Sequence, residues 1–199
     1  MRNKNNCGSH VGKAVITTGL LLACTVTQAT TIDFSEFSYP GTITTNEGET
    51  IASQGYDFSP SESGEEFFVI GEVISSPDAA LAWGPSTALI FESSDGSAFN
   101  LLNVDLASTT SFDVDMIVTG YRAGSSTIET TFTINNIWSS FDFGNEWTNL
   151  ARVEFSPISG SFGQAIDNIA VVPVPVPAAI WLFISGLIGI AGRARRLRQ

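Results

Sequence analysis

Cysteine, histidine and lysine are nearly missing from this chain. Cys7 and Cys24, His10, Lys4 and Lys13 are all it has, and every one lies in the first 24 of its 199 residues. Beyond Ala29 the sequence has none of the three. A body built from those residues can form no disulfide. It has no Ser-His-Asp or Cys-His nucleophilic system and no imidazole- or thiolate-based zinc or copper site. It also has no lysine for a Schiff base or a phosphate-binding loop. Cations are scarce too. Residues 30–172 carry all 20 acidic side chains but only Arg122 and Arg152, a charge of −18. Phosphate backbones need a basic surface, so nucleic acid is excluded as a partner. With 43% apolar and 15% charged residues, the chain is no disordered acidic tail.

The two ends differ from this body. Arg2, Lys4 and Lys13 precede an apolar run from Val11 to Val26, and Thr27-Gln28-Ala29 offers small residues at a cleavage site. Residues 1–29 thus read as an export signal cut after Ala29. Leu21-Leu22-Ala23-Cys24 also resembles a bacterial lipobox, with lipidation of Cys24 as the alternative. At the other end, Pro173 to Pro177 is a proline-rich spacer. Ala178 to Ala191 is uncharged and mainly apolar, about 21 Å long if helical, which is short of a ~30 Å hydrocarbon core. Arg193, Arg195, Arg196 and Arg198 follow, and the positive-inside rule places them in the cytoplasm.

The stretch Val174, Pro175, Val176, Pro177, Ala178, Ala179, Ile180, Trp181, Leu182, Phe183, Ile184, Ser185, Gly186, Leu187, with its arginine cluster, resembles the PEP-CTERM protein-sorting signal of Gram-negative bacteria. Val176 replaces the glutamate of the name-giving motif. The resemblance implies three segments: an export signal (1–29), an exported domain (30–172) and a sorting signal (173–199). It implies a transient inner-membrane anchor, processing by an exosortase-type enzyme, and delivery to the cell surface or an extracellular polysaccharide matrix.

The body alternates apolar and polar residues. Phe112, Val114, Met116 and Val118 form one face. Ile128, Thr130, Phe132 and Ile134 form another. Ala151, Val153 and Phe155 form a third, opposite Leu150, Arg152 and Glu154. Such alternation predicts half-buried strands. Further strands are expected at Phe67 to Val73, Ala88 to Glu92, Phe99 to Leu106 and Gln164 to Val172, the last apolar on both faces and so central. Turn formers lie between them, as at Ser93-Ser94-Asp95-Gly96, Ala123-Gly124-Ser125-Ser126 and Ser156-Pro157. The expected fold is all-β, a β-sandwich or jelly roll. The Ile32-Asp33-Phe34 start, Val118 to Gly124, Leu150 to Phe155 and Ala165 to Ile169 resemble segments of galactose-binding-like jelly rolls.

Three functions are compatible with these residues. The leading expectation is a non-catalytic envelope or matrix protein. The alternative is a carbohydrate-binding module, with Trp83, Tyr121, Trp138 and Trp147 as candidate sugar platforms. Trp83 precedes Gly84-Pro85 and is expected on a loop. The third is a small glycan-active enzyme using two carboxylates. Calcium is the metal that suits the remaining oxygen ligands. The jelly-roll resemblance implies a structural calcium where first and last strands meet, at Asp33 and Asp167. The other reading of Asp167 is a hydrogen bond to a neighbouring N–H or to an arginine.

Overall fold

Apolar side chains at every second position need a partner sheet to cover them, and the chain supplies one. The computed structural model describes residues 28–37, 50–62, 67–70, 79–84, 87–158 and 163–175. The export signal up to residue 27 and the sorting residues from Val176 onward, including Trp181 and the arginine cluster, lie outside the described residues. The strands are β1 Thr30–Ile32, β2 Ile51–Ser53, β3 Tyr56–Pro60, β4 Phe67–Ile70, β5 Ala80–Trp83 and β6 Leu89–Ser93. They continue as β7 Phe99–Ser108, β8 Val114–Arg122, β9 Thr127–Ile134, β10 Ser139–Asp142, β11 Leu150–Pro157 and β12 Gln164–Pro173. Among the described residues there is no helix, and hence none long and apolar enough to cross a membrane.

All pairings are antiparallel and fall into two groups. One runs β2-β3-β6-β11-β8-β9. The other runs β10-β7-β12, with β5 and β1 sharing the far edge of β12 and β4 beyond β5. Among the described residues a single strand pair, Leu150 with Phe99, joins them. Aromatic rings cross the space between. Phe34 meets Phe58 edge-on at 5.0 Å, Phe91 meets Phe99 at 4.9 Å, and Phe132 meets Phe141 at 4.5 Å. Each such pair adds roughly 0.5–1.5 kcal/mol beyond its buried area. The arrangement is all-β and consistent with a β-sandwich. β12 is central, as its apolar sequence requires, with neighbours on both edges.

β-Bulges decide which residues face inward. In β11 the register shifts between Leu150 and Arg152. Leu150 is therefore buried and Ala151 exposed, the reverse of simple alternation, whereas Val153 and Phe155 face the core as expected. In β7 the buried set changes from Phe99 and Leu101 to Val104 and Leu106, where the register against β12 shifts twice. An extra residue on one strand flips the faces that follow. Two further expectations are corrected. Phe112 precedes β8 and is 60% exposed, so it does not share the face of Val114. Ser156-Pro157 is no turn but the end of β11, where Pro157 pairs with Met116 at the last rung and no inner ladder bond is lost.

The β2–β3 hairpin turns on Gln54-Gly55, with φ of +47° and +87°. Two successive left-handed residues match the twist of the flanking strands, and glycine supplies the second without strain.

Candidate functional site

The four aromatic candidates have different surroundings. Trp83 is the last residue of β5, not a loop residue, and is 1% exposed. Its backbone pairs with Gln164 and Phe67, so its ring is core and presents no face to a ligand. Trp147 is 5% exposed and packs edge-on against Phe143 at 4.6 Å. Trp138 is half-buried, and its buried indole N–H has no hydrogen-bond partner among the described residues. Tyr121 alone stands half-buried on the outer face of a central ladder.

That face follows from the register. Val153 and Phe155 point inward, so Arg152 and Glu154 point out. Arg152 pairs with Glu92 of β6 on one side and Tyr121 of β8 on the other, and Glu92 pairs with Asp57 of β3. One row across four strands therefore reads Asp57, Glu92, Arg152, Tyr121. The Arg152 guanidinium lies 4.1 Å from the centroid of the Tyr121 ring, a cation–π contact. The Tyr121 hydroxyl donates to Glu154 Oε2 at 3.1 Å, and the Ser156 hydroxyl donates to Oε1 at 3.3 Å. Arg152 approaches the same carboxylate at 3.8 Å, with side chains 35% and 23% exposed. At such exposure the ion pair contributes only about 0–1 kcal/mol. Its effect is positional: ring, fork and carboxylate are fixed against one another. A forked donor stacked on a ring, beside a carboxyl acceptor, can pair with vicinal hydroxyls while the ring edge adds apolar surface. Arg152 and Glu154 were not singled out from sequence. The available signal was that they occupy the polar positions of a strand that also carries one of only two body cations.

The two metal candidates lie in adjoining strands. β1 pairs with β12 through Ile32 and Ile169, bringing the segments of Asp33 and Asp167 together. Asp33 Oδ1 accepts the Ser35 N–H at 3.2 Å and the Gln54 side-chain amide at 2.7 Å. The Ser35 bonds and the Gln54 amide hold its carboxyl below the usual range. Here it caps the turn at Phe34, a buried residue at φ +51°. Asp167 is 3% exposed and accepts the Asn168 N–H at 2.8 Å. Asn168, at φ +48° in the β12 bulge, also donates its amide to Asp105 at 3.0 Å, the residue paired with Asp167. The same amide lies 3.4 Å from Asp167 Oδ2 and so bridges the two carboxyl groups. Among the described residues no three His, Cys, Asp or Glu side chains gather in a metal-holding group.

In comparisons with known proteins, no family profile and no curated sequence matches the chain. Several solved structures do. A mutant of CBM29-2, a family 29 carbohydrate-binding module, is similar over 75% of this chain and 87% of its own, at TM-score 0.48 and 13% identity. CBM29_1 from Piromyces equi covers 76% of this chain and 93% of its own, at TM-score 0.45 and 10% identity. The agarase AgWH50C matches 63% of this chain but only 23% of its own, at TM-score 0.42 and 12% identity. At such identities no residue role is carried over from them. The leading expectation, a non-catalytic matrix protein processed by an exosortase, is corrected by these matches. Two of the three are carbohydrate-binding modules, the class named by the alternative, and the third is an agarase; the likeness extends to the fold alone.

Proposed function

We propose that this protein is a carbohydrate-binding module whose ligand lies across the outer face of β6, β11 and β8. The observation that carries this reading is the Tyr121–Arg152–Glu154 cluster, a ring, a forked cation and a carboxylate locked together on an exposed sheet face. Arg152 donates to sugar hydroxyls, and Glu154 and Glu92 accept from them. Tyr121 supplies the apolar contact. The role is binding without catalysis, on a polysaccharide partner. Affinity electrophoresis of the full chain through gels containing soluble polysaccharides tests it. At least one polysaccharide should retard the protein, and Tyr121→Ala should abolish most of the retardation without unfolding it. Unchanged mobility in every gel, or equal retardation of the variant, refutes it.

A further inference from the structure

The turns at one end of the strands build a second feature. The Gln54-Gly55 turn and the Ser94-Asp95 turn lie side by side, tied by the Ser94 N–H to the Gly55 carbonyl at 3.0 Å. The Ser94 hydroxyl also donates to Asp57 at 2.6 Å. Between these turns and the strand residues Thr30 and Pro173 opens a shallow cleft of about 310 Å³. At ~30 Å³ per water it has room for roughly ten waters, or one small polar molecule with part of its shell.

Its polar groups are already oriented. Asp95 Oδ1 accepts both the Ser93 hydroxyl and the Ser97 N–H at 2.8 Å. The Ser97 side chain first, then the Ser97 N–H and the Ser93 hydroxyl, hold the carboxyl at about 2, so it is ionised at neutral pH. Gln54 spends an amide N–H on Asp33 at 2.7 Å, which fixes the orientation of its carbonyl oxygen. The floor is firm. Tyr56 is 5% exposed, stacked on Phe91 at 5.0 Å and edge-on to Phe99 at 5.5 Å. Burial, then the Asp95 charge, raise its phenol, which stays a neutral hydroxyl. Pro173 adds an apolar surface beside it.

These groups select a ligand class. Among the described residues no cation lines the cleft, so an anion finds no partner there and meets Asp95. A small hydroxyl-rich molecule has acceptors, hydroxyls and an apolar floor. We propose that this cleft is a second ligand site that takes a single neutral sugar residue. It is distinct from the sheet-face site. Asp57 at its margin is one strand spacing from Glu92, the near edge of that site, but three spacings of ~4.8 Å, about 14 Å, from Tyr121, too far for one sugar unit to touch both Asp57 and Tyr121.

Protein-observed NMR on the full chain tests this, with methyl glycosides of glucose, mannose, galactose and N-acetylglucosamine as probes and calcium chloride as a separate arm. At least one glycoside should shift the amides of Gly55 and Ser94 to Ser97 saturably. The shifts should persist in Tyr121→Ala, so failure of the sheet-face reading is told apart from failure of this one. They should weaken about fivefold or more in Asp95→Ala. Asp95→Asn keeps an acceptor in the turn and serves if the alanine variant does not fold. No shift with any glycoside, a response to calcium alone, or equal affinity in the Asp95 variants overturns the proposal.

Discussion

Replacing Gly120 by alanine should destabilise the protein by crowding three side chains, the Trp147 ring first. Gly120 lies in β8, between Thr119 and Tyr121. A methyl group placed there meets Trp147 Cζ3 at 2.9 Å, Ile128 Cγ2 at 3.0 Å and Leu150 Cδ2 at 3.0 Å. All three are side chains of the packed core or its margin, and Trp147 is held by Phe143, so no neighbour yields freely. Overpacking of this kind costs about 1–3 kcal/mol. Alanine recovers roughly 0.5–1 kcal/mol by restricting the unfolded chain. The net loss is about 0.5–2 kcal/mol, or about 1–8 °C in Tm at ~2–4 °C per kcal/mol. Urea unfolding should show a lower midpoint with an unchanged slope. Trp147→Leu removes the nearest atom, so the double variant should lose less than the two single losses combined, with a coupling of about 0.5 kcal/mol or more. A Gly120→Ala protein as stable as the parent, or no coupling to Trp147, refutes the seating of that ring and its assignment to the core.

Three other outcomes are expected. Trp83→Ala should cost about 3–5 kcal/mol by leaving a cavity, while Trp83→Phe should cost far less because the indole N–H has no hydrogen-bond partner among the described residues; equal losses in chemical denaturation contradict this. Asp95 titrates at about 2 in the folded protein, below its ordinary 3.8, so its contribution to stability is present above pH 3.8 and lost as pH falls toward 2. Asp95→Asn should therefore flatten the stability profile between those values, and an identical acid profile counts against it. Tyr121→Phe removes the bond to Glu154 but keeps the ring, so it should lower stability by only about 0.5–1.5 kcal/mol and leave part of the polysaccharide binding that Tyr121→Ala abolishes; equal loss of binding in the two variants shows that the hydroxyl, not the ring, carries the contact.

Much of the β architecture was legible because burial imposes a period of two. Val114, Met116 and Val118, then Val153 and Phe155, lie inside where alternation places them. The exceptions have local causes. An extra residue near Ala151 inverts one strand end, and paired shifts in β7 and β12 move the buried set by one. Nothing in composition marks such insertions. Trp83 looked like a loop residue because Gly84-Pro85 follows, yet a strand can run up to such a breaker. The short strands β1, β2 and β10 hold three or four residues, too few to show a period. The site was half legible. Tyr121 stood out as an aromatic, but Arg152 and Glu154 are more than thirty residues away, and only the register between β8 and β11 brings them beside it.

The most direct test of the sheet-face claim is to see where a bound glycan touches the protein. An oligosaccharide cut from a retarding polysaccharide, titrated into labelled full-length protein, should shift the amides of Tyr121, Arg152, Glu154 and Glu92 together. Arg152→Ala should weaken that titration about tenfold or more. Shifts confined to residues away from β6, β11 and β8, or an affinity untouched by Arg152→Ala, would contradict the account.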